Sequence, residues 1–253
     1  MINGKIIKGI GGFYYVDTEN GLYECRARGI FRKNKITPLV GDRVSISVVD
    51  EENKKGVVEE IEERDTELVR PPIANVDKAL IVFAIKNPSP NLSLLDRFIV
   101  LAEKENLEIV IVFTKVDLDT DGELLGELKD IYEVSGYKVI SVSNKLKLNI
   151  DKIKRGKHTT RHAELLKLEC GGMVADTPGF SSLTLDDIDE SELKEYFIEF
   201  DKYDECRFGS RCIHENEPSC AVKEAVENGD ISKKRYESYI QLLNEIRSGK
   251  RRY

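Results

Sequence analysis

Residues 155–180, RGKHTTRHAELLKLECGGMVADTPGF, hold the pattern that decides the fold. The apolar run 170–175 is typical of a buried strand, and it leads directly into Asp-Thr-Pro-Gly, which begins at Asp176 and ends at Gly179. A carboxylate in this place can reach a Mg²⁺ ion, and a glycine lets its N–H approach a terminal phosphate because no Cβ intervenes. A plain strand followed by a Pro-Gly turn would give the same residues, so this motif alone leaves both interpretations open.

A second motif follows the apolar run of residues 108–113, which predicts a strand buried on both faces. The next four residues, Thr114-Lys115-Val-Asp117, resemble the Asn-Lys-x-Asp guanine-specificity motif of GTPases. A carboxylate can accept two hydrogen bonds from the N1–H and 2-amino groups of guanine, and adenine offers neither donor. Thr114 stands where Asn is usual, so the side chain is shorter and an amide is missing.

A third motif follows the predicted strand 138–142. Its residues Ser143, Asn144 and Lys145 resemble the Ser-Ala-Lys loop that lies behind the guanine base in GTPases. Both base motifs precede Asp-x-x-Gly in this chain, whereas ordinary small GTPases have them after it. This order, with a β-rich segment in front and a Cys/His cluster behind, resembles the circularly permuted ribosome-small-subunit-dependent GTPase A family over nearly the whole chain.

The resemblance implies an α/β protein of three parts. We expect an oligonucleotide-binding (OB)-type, RNA-binding β-barrel over residues 1–70, a circularly permuted P-loop GTPase domain over 71–190 and a zinc-binding helical domain over 191–253. Residues 1–70 support the first part on their own, because short period-two runs separated by turn residues predict a small barrel of five strands. Pro71-Pro72 cannot lie inside a helix or a central strand, which favours a domain boundary there.

The GTPase segment is predicted from alternating strands and helices. Residues 78–83, 108–113 and 138–142 predict strands, and residues 91–105 and 122–133 predict helices. This alternation is typical of a parallel sheet flanked by helices, with ligands at the carboxyl ends of the strands.

The phosphate loop of GTPases, Gly-x-x-x-x-Gly-Lys-[Ser/Thr], is absent from the sequence. The family pattern places it near residues 154 and 155, between the guanine loops and the two threonines. Either the native protein carries a further stretch that this sequence omits, or the stretch is truly deleted. The first explanation is favoured, because a deletion would remove a strand–loop–helix unit from the centre of the sheet. It predicts that residues 154 and 155 are far apart in space.

Residues 158–160, His-Thr-Thr, resemble the first switch region of the family. The hydroxyl group of either Thr159 or Thr160 can complete the ligand shell of a Mg²⁺ ion. His158 is the residue that the resemblance implies for orienting the attacking water, because the usual Gln after Asp-x-x-Gly is replaced by Phe180, which cannot bind water. An exposed histidine without a catalytic part is the alternative.

The last motif is Cys-x₅-Cys-x-His-x₅-Cys. Four ligands within fifteen residues match a closed tetrahedral Zn²⁺ site with a structural role, and the resembled family has zinc ligands at this point. Unrelated reduced thiols are the alternative. The predicted ligands are Cys206, Cys212, His214 and Cys220.

Composition limits the function classes. Among the 253 residues, 40% are hydrophobic and 34% are charged, which is typical of a globular protein. No apolar run reaches the length of a membrane span, and the first residues lack the apolar core of a signal peptide. We therefore expect a cytoplasmic protein without a membrane partner. The net charge of −7 is uneven: residues 1–44 carry +4 and residues 231–253 carry +5. We therefore expect RNA contacts at the ends of the chain, with ordinary solvated surface as the alternative.

The resemblance implies a monomeric GTPase that binds guanine nucleotide with Mg²⁺, associates with the small ribosomal subunit and its rRNA, and hydrolyses GTP during late maturation of that subunit. Two alternatives stay open. One is a non-catalytic rRNA-binding assembly factor that lacks a phosphate loop. The other is a GTPase for a non-ribosomal partner.

Overall fold

The computed structural model of the chain describes residues 1–69, 71–149, 164–167, 173–176, 184–203 and 205–250. The chain forms two compact units, one of residues Met1–Asp77 with Lys154–Ser181 and the other of Lys78–Ile153 with Ser182–Tyr253. None of the helices in the described ranges has the length and apolar character needed to cross a membrane.

The first unit contains the predicted five-stranded barrel. The strands follow one another around the barrel in the order β1-β2-β3-β5-β4, and pairing of β1 with β4 closes it. Apolar side chains fill the interior, including Ile6, Val16 and Cys25, which confirms that this cysteine is a core residue. The strands are β1 Ile2–Ile10, β2 Phe13–Thr18, β3 Gly21–Ala27, β4 Arg43–Asp50 and β5 Lys55–Ile61, with the short helix α1 Gly29–Lys33 between β3 and β4. This is the strand order of an OB-fold.

The segment after the barrel is tied back to it. Two short strands, β6 Glu67–Val69 and β7 Pro72–Ala74, form a hairpin. The Arg64 guanidinium binds both carboxylate oxygens of the fully buried Asp42 at 2.7 and 2.8 Å. Gly41 has a φ of +96°, and a Cβ there would lie 2.0 Å from the carbonyl oxygen of Ala74. Only glycine therefore fits where the barrel turn meets the hairpin.

Two further strands belong to the first unit. They are β11 Glu164–Lys167 and β12 Met173–Asp176, which pair with each other, while β11 pairs with β1. Asp176 is thus the last residue of a strand, as the sequence predicts.

The second unit is built on a parallel sheet in the order β10-β9-β8. The side chain of Asn91 accepts a hydrogen bond from the N–H of Leu94 and so begins the first helix, as predicted. Leu80 and Val82 remain 44% and 45% exposed on the edge strand β8. The elements are β8 Lys78–Ala84, α2 Leu92–Lys104, β9 Glu108–Thr114, α3 Glu123–Val134 and β10 Lys138–Ser141.

The carboxyl-terminal part of this unit is helical. It contains 3₁₀ turns at Leu193–Tyr196, Ile198–Tyr203 and Gly209–Arg211, followed by helices α4 Ala221–Asn228 and α5 Lys233–Lys250. The helix α5 packs on α2 through Arg235, which is fully buried. Its guanidinium binds Asp96 Oδ1 at 2.7 Å and both carboxylate oxygens of Glu199 at 2.7 and 3.0 Å.

Candidate guanine-nucleotide site and metal centre

Two loops at the carboxyl ends of β9 and β10 bring the predicted base-recognition residues together. The N–H of Val142 donates to the carbonyl oxygen of Phe113 at 2.8 Å, and the N–H of Val116 donates to that of Val142 at 3.3 Å. These bonds extend the strand pairing into the loops, so the two motifs lie side by side. Parallel sheets bind ligands at this edge.

The carboxylate of Asp117 is held by the second loop. Ser143, which is fully buried, donates from its hydroxyl group to Asp117 Oδ1 at 2.5 Å. The same hydroxyl oxygen accepts the N–H of Leu146 at 3.1 Å. Each carboxylate oxygen has two acceptor positions, so Asp117 keeps the capacity to accept the paired donors of a guanine base.

Thr114 and Lys115 connect the first loop to the end of β8 and to the segment after it. Thr114 donates from its hydroxyl group to the carbonyl oxygen of Phe83 at 3.3 Å, and Lys115 donates to that of Asn87. The backbone of Lys115 is left-handed, with a φ of 57°, which turns the chain out of β9. Thr114 therefore ties neighbouring strand ends together through its hydroxyl group, without the amide of the usual asparagine.

Sequence reasoning did not identify the support beneath this loop. Asp119 is buried, accepts the N–H of Leu125 at 2.9 Å, and lies 3.0 Å from the ammonium group of Lys86. The backbone hydrogen bond is the main cause that lowers the pKa of Asp119. The sequence offered one signal for Asp119, namely a second acidic residue two positions after Asp117. Asn144 and Lys145 are exposed at the tip of the second loop.

The remaining predicted nucleotide residues fall almost entirely outside the described part of the chain. His158, Thr159, Thr160 and Gly179 lie outside the described residues, as do residues 154 and 155, whose predicted separation stays a prediction. Only the backbone of Asp176 is described.

The four predicted metal ligands converge. The Sγ atoms of Cys206, Cys212 and Cys220 and a nitrogen of His214 lie within 4.8 Å of one another, and all four residues are buried. The sulfur of Cys220 is 3.8 Å from each of the other two sulfurs and 3.3 Å from His214 Nδ1. A tetrahedral ion with metal–sulfur bonds of about 2.3 Å requires sulfurs about 3.8 Å apart, so the donor spacing fits.

The electrostatics of this cluster also fit a cation. Burial lowers the pKa of His214 to about 4, which keeps the imidazole neutral and able to act as a ligand. Burial raises the pKa of Cys212 to about 12. A dication reverses that preference, because thiolates are its ligands, and metal binding therefore releases protons.

The loop that carries His214 is fixed from outside. Tyr236 and Tyr239 on α5 donate from their hydroxyl groups to the carbonyl oxygens of His214 and Ile213 at 2.7 and 2.6 Å. The carboxylate of Glu217 accepts the N–H of Ile213 at 2.7 Å. Such supporting bonds hold ligands in place before the ion arrives.

The fold and these loops define a circularly permuted guanine-nucleotide-binding protein with an amino-terminal barrel. The RsgA N-terminal domain model matches residues 3–58, and the RsgA GTPase model matches residues 61–155 and 150–186. The chain belongs to the RsgA GTPase family.

Curated relatives and solved structures agree with this assignment. The "Small ribosomal subunit biogenesis GTPase RsgA" of Alkaliphilus metalliredigens is 45% identical, with 99% of this chain and 100% of the relative covered, and that of Clostridium novyi is 42% identical, with 99% of each covered. The crystal structure of YloQ, a circularly permuted GTPase, is 40% identical with a TM-score of 0.82 and coverage of 98% and 96%. The crystal structure of YjeQ from Thermotoga maritima is 36% identical, with a TM-score of 0.85 and coverage of 97% and 98%.

The comparisons also agree with a segment that this sequence lacks. The Alkaliphilus relative aligns over 293 positions, although this chain has 253 residues, so about 40 positions of the relative have no counterpart here. The two segments of the GTPase match meet at residues 150–155. This is the place where the sequence predicts a phosphate loop and lacks one.

Proposed function

We propose that this protein is a GTPase that acts in biogenesis of the small ribosomal subunit and hydrolyses GTP to GDP and phosphate. The observation that carries the proposal is the Asp117–Ser143 pair at the carboxyl ends of β9 and β10, in a chain of the RsgA GTPase family. The partners that follow are guanine nucleotide and the small subunit with its rRNA. Monomeric state and cytoplasmic location belong to the same proposal.

Each nucleotide residue has a proposed role. Asp117 accepts the N1–H and 2-amino groups of guanine, the stem of Lys115 lies against the base, and Ser143, Asn144 and Lys145 lie behind it. Thr159 or Thr160 and Asp176 hold or orient Mg²⁺, which supplies charge neutralisation at the phosphates. Gly179 contacts the terminal phosphate through its N–H, and His158 orients the attacking water.

The proposed domains are residues 1–70, 71–190 and 191–253. Within the last, we propose that the buried Cys/His cluster holds one Zn²⁺ ion. The support is the donor set, three thiols and one imidazole, and its spacing, since these ligands in a tetrahedron favour Zn²⁺ over harder cations. With four protein ligands the ion has no open position, so its role is structural.

The missing phosphate loop favours a second candidate function, a non-catalytic rRNA-binding assembly factor. Without the loop, no backbone cradle and no lysine contact the β- and γ-phosphates. Intact mass of the denatured, metal-free protein from its native source separates the two. A mass several kilodaltons above 28.7 kDa supports the GTPase, and a mass of 28.7 kDa supports the binding-only factor.

The site itself is tested with Asp117→Asn. Asparagine keeps one neutral acceptor oxygen and places an NH2 group against the other guanine donor. Hydrogen bonds to a charged acceptor contribute roughly 1.5–3 kcal/mol each, so losing one and weakening the other should weaken GDP binding at least about tenfold. Asp130→Asn, which changes an exposed carboxylate on α3, is the matched control and should bind like the wild type. GTP turnover is measured with and without small subunits. Equal GDP affinity of Asp117→Asn and wild type, with no turnover in either condition, would overturn the proposal.

A further inference from the structure

We propose that residues 207–211, called here the arginine loop, form a docking surface for an unpaired nucleic-acid strand. Phe208 would stack on a base, and Arg207 and Arg211 would contact phosphates. The inference rests on the proposed function, which supplies an RNA partner, but it assigns a surface and a contact chemistry that the function alone does not.

Phe208 is unusual among the aromatic residues. Its side chain is 44% exposed, and every other phenylalanine and tyrosine in the described ranges is buried or half-buried. An aromatic ring in water is a ready platform for a base, because every base has a π-face.

Arg207 and Arg211 lie one residue before and three residues after Phe208 in the loop, and both are exposed. Neither forms an ion pair with a described residue, whereas the other arginines described in this unit are all paired: Arg97 with Glu245, Arg235 with Asp96 and Glu199, and Arg247 with Glu190 and Glu215. The charges of the arginines described in α5 are thus neutralised by carboxylates of the protein itself. The arginine loop instead offers its positive charge to a partner.

The backbone of the loop is also held by hydrogen bonds. It lies between the buried thiols of Cys206 and Cys212, and Lys194 donates to the carbonyl oxygens of Ser210 and Cys212. Within it, the N–H of Arg211 donates to the carbonyl oxygen of Phe208 at 3.2 Å. A backbone that is already held by hydrogen bonds loses little conformational entropy on binding, which favours docking at this loop.

Single-stranded nucleic acid fits this surface better than a duplex. A duplex hides its base faces in the stack, whereas unpaired bases can stack on aromatic rings beside cations that bind the backbone. A protein partner with an acidic apolar patch is the other class that such a surface could meet, and the experiment distinguishes it.

The test measures binding of the metal-loaded full chain to a fluorescein-labelled twelve-residue oligouridine by anisotropy. Phe208→Ala should raise the Kd about tenfold, within the range known for loss of a stacked base, and Phe208→Trp should not raise it. Val134→Ala removes an even more exposed apolar side chain elsewhere and should leave the Kd unchanged. Arg207→Gln with Arg211→Gln should reduce the salt dependence of binding by about 1.4 in slope. Lys233→Gln with Lys234→Gln, where both cations face carboxylates, should change it less.

Three results would overturn the inference. The first is a Kd of Phe208→Ala for oligouridine within twofold of the wild type. The second is an equal loss of affinity of this variant for oligouridine and for an RNA duplex. The third is lost binding of this variant to the small subunit with unchanged oligouridine binding, which would indicate a protein contact. GTP turnover is measured on the same preparations. If GTP is not hydrolysed but oligouridine binding depends on Phe208, only the proposed function is refuted. If GTP is hydrolysed but oligouridine binding does not depend on Phe208, only this inference is refuted.

Discussion

Replacing Arg235 by methionine tests the core of the second unit most directly. The change removes the charged guanidinium, which donates three hydrogen bonds of 2.7 to 3.0 Å to Asp96 and Glu199. Burial opposes the charge on Arg235, but the two carboxylates outweigh burial and raise the pKa of the guanidinium well above its usual value. The arginine is therefore charged at all accessible pH values, and its removal leaves two buried carboxylates without their cation.

The expected loss of stability follows from the number of carboxylates that are left unpaired. Breaking a buried ion pair by removing one partner costs about 3–5 kcal/mol, and here one substitution strands two carboxylates, so we expect a loss near 5 kcal/mol in the free energy of unfolding. The methionine stem fills part of the space and keeps contact with the ring of Phe197, over which the guanidinium lies 4.5 Å from the centroid. The loss is therefore mainly electrostatic.

The assay is equilibrium denaturation by urea, followed by circular dichroism. Lys233→Met is the control, because its ion pair with Glu237 is exposed and 3.9 Å long, and it should change stability by less than about 0.5 kcal/mol. Adding Asp96→Asn and Glu199→Gln to Arg235→Met should restore most of the loss. A loss below about 1 kcal/mol for Arg235→Met, or no recovery on neutralising the carboxylates, would refute the reasoning.

Three further predictions concern the barrel turn, a half-buried acid and the metal loop. Gly41→Ala should destabilise the first unit by roughly 3–5 kcal/mol in thermal unfolding, because its Cβ meets the carbonyl oxygen of Ala74, whereas Gly122→Ala, with positive φ but open space, should cost only about 1 kcal/mol. Burial raises the pKa of Glu103, so its charged form opposes folding as pH rises; Glu103→Gln should therefore be more stable than wild type at pH 7, with the difference vanishing near pH 4. Lys194→Met removes the donor to two carbonyl oxygens beside the metal ligands and should weaken zinc retention against a chelator about tenfold, an effect that equal retention would exclude.

Periodicity in the sequence located most of the elements. Helix α2 and strand β9 begin and end within one residue of their predicted positions, because Asn91 caps the helix and the strand is continuously apolar. The ligand spacing likewise predicted the metal cluster, whose four donors are close in sequence. Local signals suffice where the partners of a residue are its neighbours along the chain.

Long-range pairing could not be predicted in the same way. Arg235 belongs by composition to a basic terminal segment, and nothing nearby in sequence shows that its partners, Asp96 and Glu199, are 139 and 36 positions away. Asp119 itself could have been noticed two positions after Asp117, but its ion pair with Lys86, on another strand connection, could not be predicted from the sequence. Charge counts along a chain do not say which charges are neutralised inside the fold.

The sequence and position of strand β8 have a consequence for the behaviour of the protein in solution. Its sequence, KALIVFA, holds a single charged residue, and within the described part of the chain the strand pairs on one side only, with β9. An apolar edge of this kind is a template on which a strand of another molecule can add, at the spacing of about 4.8 Å found in any sheet. Concentrated preparations of the 253-residue chain should therefore self-associate through this edge, and a charged substitution at Val82 should keep them dispersed.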